Sequence, residues 1–226
     1  MIPLHDNNPR HSFPWITLTL IAVNSAIFFY EAFASEGARE ALFASYALVP
    51  ARTTGFFSGE AVAPSAAIFP FFTSMFLHGG WMHLIGNMWF LWIFGDNVED
   101  RTGRLGYMLL YVASGLAGSV GHVLFSPDSA LPTVGASGAI SGVMGAYLIT
   151  FPRARILTLV PIVIFLTTIE IPAFLILLYW LLLQFLSGAA SLGADAGQGG
   201  VAWFAHVGGF VAGIPLMLAL RRPRWR

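Results

Sequence analysis

LPTVGASGAISGVMGAY, residues 131–147, decides how this chain is read. The stretch holds two serines, four glycines and three alanines, carries no charge, and runs into more apolar sequence. Ser137, Ser141 and Gly145 repeat at i, i+4, i+8, and so do Gly138 and Gly142 one position on. On a helix such residues share a face, and small side chains at that spacing let two backbones approach closely in lipid. A serine in this setting either lets helices touch or serves as a nucleophile inside a membrane, and the rest of the chain has to choose between the two.

Of the 226 residues, 57% are hydrophobic and 10% charged, with a mean hydropathy of +0.74. A soluble domain carries about 25% charged residues, so the solvent here is a lipid bilayer. The length suits one domain, taken as 1–226. The net charge of zero says nothing about partners, but no basic patch lies outside the ends of hydrophobic segments, which excludes nucleic acid. Without cysteine there is no disulfide, no thiol catalysis and no Cys-based zinc or iron–sulfur site. All eleven basic residues are arginine.

A spanning helix takes about 20 mostly apolar residues. Six spans are expected: about 15–33, 81–94 with a lead-in from 69, 105–125, 137–151 (short), 172–186 and 201–220. The run 156–186 is too long for one span and too short for two. Pro161, Glu170 and Pro172 interrupt it, so 157–168 is read as lying partly in the interface. The stretch 187–200, rich in Gly, Ala and Ser, reads as a mobile loop. With six spans both termini share a side. That side collects Arg10, Arg101, Arg104, Arg153, Arg155, Arg221, Arg222, Arg224 and Arg226, against Arg39 and Arg52 on the other. Nine against two makes the termini cytoplasmic. Ala32-Phe33-Ala34 imitates a signal-peptide cleavage site, but the apolar run before it is long for such a segment and its flank has one Arg, so a span is preferred.

Polar groups within spans are costly and are functional candidates. They are His78, His83, Asn87, His122, Ser137, Ser141, Glu170 and His206. His78, His83 and Ser137 are met as the chain enters the membrane from outside, and His206 sits about 8 Å into the last span from the same side. Ala205, Gly209 and Gly213 give that span a small-residue stripe bordered by His206. Two such faces pressed together would bring Ser137 to His206, which can take the hydroxyl proton as general base and return it to a leaving amine. His83 and Asn87, at i and i+4, offer ring and amide N–H donors to an oxyanion, and the Ser137 backbone N–H adds a third. The nearest acid in sequence, Asp195, falls in the outer loop, so a Ser–His dyad is expected. Ser141 and His122 read as packing and core residues. Glu170 reads as an interfacial or bundle-bonded acid, and Trp89, Phe90, Trp92 and Phe94 as lipid-facing aromatics. No metal or cofactor is expected: His78 and His83 would stand about 140° apart on a helix, and no His-Glu-x-x-His occurs.

Phe76-Leu77-His78, His83-Leu84-Ile85-Gly86-Asn87-Met88, Gly135-Ala136-Ser137-Gly138 and Ala205-His206-Val207-Gly208-Gly209 resemble, in order and spacing, the signatures of rhomboid intramembrane serine proteases. Glu99-Asp100-Arg101-Thr102-Gly103 resembles the family's Glu-x-Arg-x-Gly element. Pro152-Arg153-Ala154-Arg155 and Glu170-Ile171-Pro172-Ala173, followed by Trp180 and Gln184, look like its fourth-to-fifth span region. The resemblance covers about residues 13–222. It implies an all-α, bacterial-type, six-span bundle, with 34–70 an outer loop partly in the membrane; the all-arginine bias adds the expectation of a bacterial inner membrane. Ser137 would be the nucleophile and His206 the base. His83, Asn87 and the Ser137 amide would form the oxyanion site, with His78 in support. The reaction implied is hydrolysis of peptide bonds of transmembrane proteins near the outer face, with no cofactor, at a site open to that side and gated by the fifth span and a capping loop. Small residues beside the cut are the family expectation. Two features depart from the family. Position 141 is Ser where some members stack an aromatic on the histidine, and the first-loop Trp-Arg pair of some members is absent. The alternatives are a catalytically silent rhomboid-like protein that escorts other membrane proteins, which usually lacks one of the pair, and a small transporter, for which no two-fold hydropathy repeat is present.

Overall fold

A glycine turn, a buried short helix and a small unexpected sheet set the architecture of the computed structural model, which describes residues 2–162, 165–191 and 202–222. In chain order the elements are β1 (Ile2–Asp6), α1 (Trp15–Phe33), α2 (Glu36–Tyr46), α3 (Pro50–Phe57), α4 (Pro64–Ile68), α5 (Pro70–Thr73), α6 (Trp81–Phe125), α7 (Ser137–Thr150), β2 (Arg155–Ile162), β3 (Phe165–Pro172), α8 (Ala173–Ser191) and α9 (Trp203–Leu220). Among the described residues α1, α6, α8 and α9 are long and apolar enough to cross a membrane. The protein is a helical bundle and an integral membrane protein.

The 45 residues of α6 are two arms, 81–102 and 104–125, joined at Gly103, whose φ of 71° leaves the helical region. The second arm folds back on the first, with Gly95 against the Tyr107 hydroxyl near the turn, and farther on it meets α9, where a Cβ on Gly118 would stand 2.6 Å from the Ala205 carbonyl oxygen. The turn is tied to α1 by Glu99. Pro14 offers α1 no side-chain cap. In its place the Glu99 carboxylate accepts the N–H of Ile16 (3.0 Å) and of Thr17 (2.9 Å), and the Thr17 hydroxyl (2.9 Å). A helix start needs such acceptors for its free N–H groups.

Only 14 residues long, α7 is buried over 138–147. At about 21 Å it is shorter than the ~30 Å hydrocarbon core, and protein rather than lipid surrounds it. It packs between the arms of α6 and α9. The small-residue faces make this possible. A Cβ on Gly209 would stand 2.0 Å from the Gly138 carbonyl oxygen, and one on Gly213 would stand 1.9 Å from that of Gly142. Either helix would have to move outward to take a side chain, and with it Ser137 or His206.

The lead-in to the second span is not continuous with it: α5 and a 3-10 turn end at Phe76, and α6 begins only at Trp81. The described residues of the segment 157–168, given no secondary structure from sequence, lie in antiparallel strands, Arg155 opposite Pro172 and Ile162 opposite Phe165. The N-terminal strand β1 adds to it with Ile2 opposite Leu159 and Asp6 opposite Ile156. Ile156, Thr158, Val160, Thr167, Thr168, Ile169 and Ile171 are β-branched and favour strand, and Pro161 is costly inside a helix. Glu170 lies on β3 opposite Leu157 and pairs with Arg155 at 3.9 Å. The loop read at 187–200 begins later, since α8 continues to Ser191; 192–200, with Asp195, lies outside the described residues.

Candidate active site

Four helices, α6 to α9, bring the polar residues together. Ser137 is the first residue of α7 and His206 the fourth of α9. The Ser137 Oγ lies 2.7 Å from His206 Nε2. The other ring nitrogen, Nδ1, lies 2.5 Å from Gln184 Oε1 on α8. An amide oxygen only accepts, so Nδ1 carries the proton. That leaves the Nε2 lone pair to accept the serine hydroxyl. The imidazole is 8% exposed. Its ring is flanked by Trp180 (centroids 5.7 Å, planes at 35°) and by Trp203 edge-on at 6.2 Å.

Sequence reasoning gave Gln184 and Trp180 no role in holding the base. Both sit on α8 at i and i+4, on the face turned toward α9, and Gln184 is the one amide in a mostly apolar helix. That isolation was the available signal. The aromatic missing at position 141 is supplied from α8 by Trp180. Ser141 is buried, and its hydroxyl donates to the Ser137 carbonyl at 2.6 Å.

The segment leading to Ser137 is held extended by Leu48, through bonds between its backbone and that of Thr133 at 3.0 and 2.7 Å, and the Gly135 N–H donates to the Ser74 carbonyl at 2.8 Å. Gly135 has φ 128°, and a Cβ there would stand 2.6 Å from His83 Nε2 and 3.5 Å from Ser137 Oγ. Glycine keeps the space between those two groups open. His83 Nδ1 accepts the Gly79 N–H at 3.3 Å, so Nε2 is its donor. Asn87, one turn on, is buried, and its Nδ2 has no acceptor among the described residues. The Ser137 N–H, at the first helical position, has no intrahelical acceptor either. A cavity of about 690 Å³ is lined by His83, Asn87, Ser137, Gln184 and His206 together. It contains donors without acceptors beside a hydroxyl with a base, an arrangement suited to an anion forming on a carbonyl.

His78 does not line that cavity. The helix begins after it, so the pair's angular separation on a helix does not apply, and the His78 and His83 rings pack edge-on at 5.2 Å. The His78 N–H donates to the buried Glu31 carboxylate of α1 at 3.2 Å, fixing the turn that carries His83. His122 lies behind Ser137, with Nε2 2.9 Å from the Thr133 hydroxyl.

The fold and site define a class: a helical membrane protein with a hydrogen-bonded serine–histidine pair at one end of its bundle. The Rhomboid domain family model matches residues 65–223, and the chain belongs to the rhomboid family. It is similar to the RHOMBOID-like protein 6, mitochondrial, of Arabidopsis thaliana, with 45% identity over 34% of this chain and 24% of that protein. It is similar to the Rhomboid protease GluP of Bacillus subtilis (strain 168), with 43% identity over 34% of this chain and 14% of that protein. Against the RHOMBOID-like protein 4 of Arabidopsis thaliana the identity is 26% over 96% of this chain and 55% of that protein. The chain thus spans at most about half the length of these relatives.

Proposed function

We propose that the protein is a serine endopeptidase of rhomboid type, which hydrolyses peptide bonds in or near the transmembrane segments of other membrane proteins through Ser137 and His206. The observation that carries this reading is the chain of two hydrogen bonds from Ser137 through His206 to Gln184. His206 Nε2 takes the Ser137 proton as Oγ attacks the scissile carbonyl, and Nδ1–H stays bonded to Gln184 as the ring becomes cationic. His83 Nε2–H, Asn87 Nδ2–H and the Ser137 N–H stabilise the oxyanion. Collapse of that intermediate breaks the C–N bond, and His206 returns the proton to the leaving amine. A water, deprotonated by the same nitrogen, then hydrolyses the acyl-serine.

We place both termini in the cytoplasm of a bacterial cell, with six spans in the inner membrane and the cavity opening to the outer side. The arginine distribution supports this. Single cysteines introduced into this cysteine-free chain at Arg39 and Arg153 would react with an impermeant thiol reagent from opposite sides.

The test of function is labelling by a fluorophosphonate together with cleavage of a transmembrane substrate in lipid. Wild type is expected to do both, and Ser137→Ala and His206→Ala neither. Cleavage retained by folded Ser137→Ala would overturn the mechanism. A wild type that cleaves no membrane substrate and takes no label would favour the silent escort.

A further inference from the structure

At the opposite end of the bundle from Ser137 lies a second, larger cavity of about 1000 Å³, lined by Arg101, Arg104, Arg222, Ser12, Phe13 and Phe151 among others. None of these residues has a part in the proposed proteolysis. The cavity sits where three chain segments meet: the arm 8–13, the Gly103 turn, and the chain just after α9.

Its acids are already engaged. Glu99 caps α1, as described above. Asp100 accepts the His11 N–H at 3.0 Å and the Ser12 hydroxyl at 2.5 Å. Two of its cations are not paired: among the described residues Arg104 and Arg222 form no ion pair. The Arg222 guanidinium packs on the Gly103 backbone, where a Cβ would meet its Cζ at 2.0 Å. Its backbone N–H donates to the Arg101 carbonyl at 2.8 Å. The Arg104 guanidinium stands 5.9 Å over the Trp15 ring. Trp15 and Phe13 are 53% and 52% exposed, the position of aromatic side chains at a membrane–water boundary.

We propose that this cavity binds the phosphate of an anionic phospholipid. Arg104 and Arg222 would grip the phosphate oxygens in the forked geometry guanidinium groups offer, while Phe13 and Phe151 would face the glycerol and upper acyl chain. Basic pockets between helices at a cytoplasmic face suit such head groups. The bound lipid would tie the N-terminal arm, the Gly103 turn and the end of α9 together. The inference does not depend on proteolysis.

The experiment uses the purified full chain in phosphatidylcholine micelles titrated with phosphatidylglycerol. Retained lipid is counted by native mass spectrometry, and thermal stability is followed in parallel. Wild type is expected to retain phosphatidylglycerol over phosphatidylcholine and to melt higher with it. Arg104→Gln and Arg222→Gln should each weaken that binding about tenfold or more, the loss of a charge-assisted hydrogen bond. Arg153→Gln, at the same end but outside the cavity, should bind as wild type. Arg104 is exposed, so its variant is expected to fold whatever becomes of Arg222. Equal retention in wild type and Arg104→Gln, or equal loss in Arg153→Gln, would overturn the proposal. Competition by millimolar inorganic phosphate would keep the phosphate site but assign it to a free anion; no competition assigns it to lipid.

Discussion

Gln184→Leu isolates the part of the site that neither the serine nor the histidine supplies. Leucine nearly matches glutamine in volume and suits the apolar face of α8, but it offers no acceptor to His206 Nδ1–H, which now has one at 2.5 Å. Two effects follow. In the resting protein the proton is free to move to Nε2, where the ring no longer accepts from Ser137. In the transition state the cationic ring loses a hydrogen bond, and a bond to a charged group contributes about 1.5–3 kcal/mol. That corresponds to a rate loss of about 10- to 150-fold. Because the loss arises as charge develops, kcat should fall while KM stays near wild type. Gln184→Glu, which keeps an oxygen acceptor in place, should recover much of the loss, as a merely structural role for position 184 would not require. The assay is steady-state cleavage of a transmembrane substrate in proteoliposomes, with thermal melting to confirm the fold. A folded Gln184→Leu with wild-type kcat would refute the reasoning and leave His206 held by Trp180 and Trp203 alone.

Other perturbations test separate parts of the structure. Asn87→Ala removes one oxyanion donor and should lower kcat by about 10²–10³, as losing a single donor does in a soluble serine protease; an unchanged kcat would remove Asn87 from the site. Glu99→Ala leaves the α1 N–H groups and the Thr17 hydroxyl without their acceptor and should destabilise the bundle by about 1–3 kcal/mol, read in a denaturant titration, with no change in fluorophosphonate labelling of the folded fraction. Asp6, where burial outweighs the Tyr147 hydrogen bond and pushes the carboxyl up to about 6, binds its proton more tightly folded than unfolded. Its contribution to stability is therefore greatest below about pH 4 and declines as pH rises to about 6. The wild type should lose stability across that window relative to Asp6→Asn; parallel curves would refute the assignment.

Ser137 and His206 were legible in the sequence because lipid makes polar residues scarce: with few candidates and a known direction of entry, depth and side can be worked out from span boundaries. The glycine stripes were legible for a related reason, since in lipid close packing needs small residues at helical spacing, and 138, 142, 209 and 213 fall there. The orientation of His206 was not. Gln184 is an uncharged amide in an apolar run, and nothing local tells which helix turns it toward α9. The sheet was hidden too, because β1 pairs with residues about 150 positions away and the run 156–172, apolar and β-branched, has the composition of a span as well as of strands. The turn after His78 was misjudged because Gly79 and Gly80 delay the helix, which turns two residues not expected to share a face into packed neighbours.

The common element is α7. A nucleophile at the end of a lipid-facing helix would move with the bilayer. This helix has no lipid-facing side over most of its length. Its first residue is set by the extended segment bonded to Leu48, and its flanks by glycine contacts with α9. Its far end is held as well, since the Tyr147 hydroxyl donates to Asp6 at 2.5 Å, and Asp6 also accepts from Asn97 at 3.2 Å. The N-terminal strand and the first arm of α6 therefore fix the helix at one end while the proposed chemistry occurs at the other. Only ten positions along α7 separate Tyr147, which bonds that strand, from the serine. For this reason a charge change at Asp6, at the opposite end of α7 from Ser137, is expected to alter the rigidity of the site without touching it.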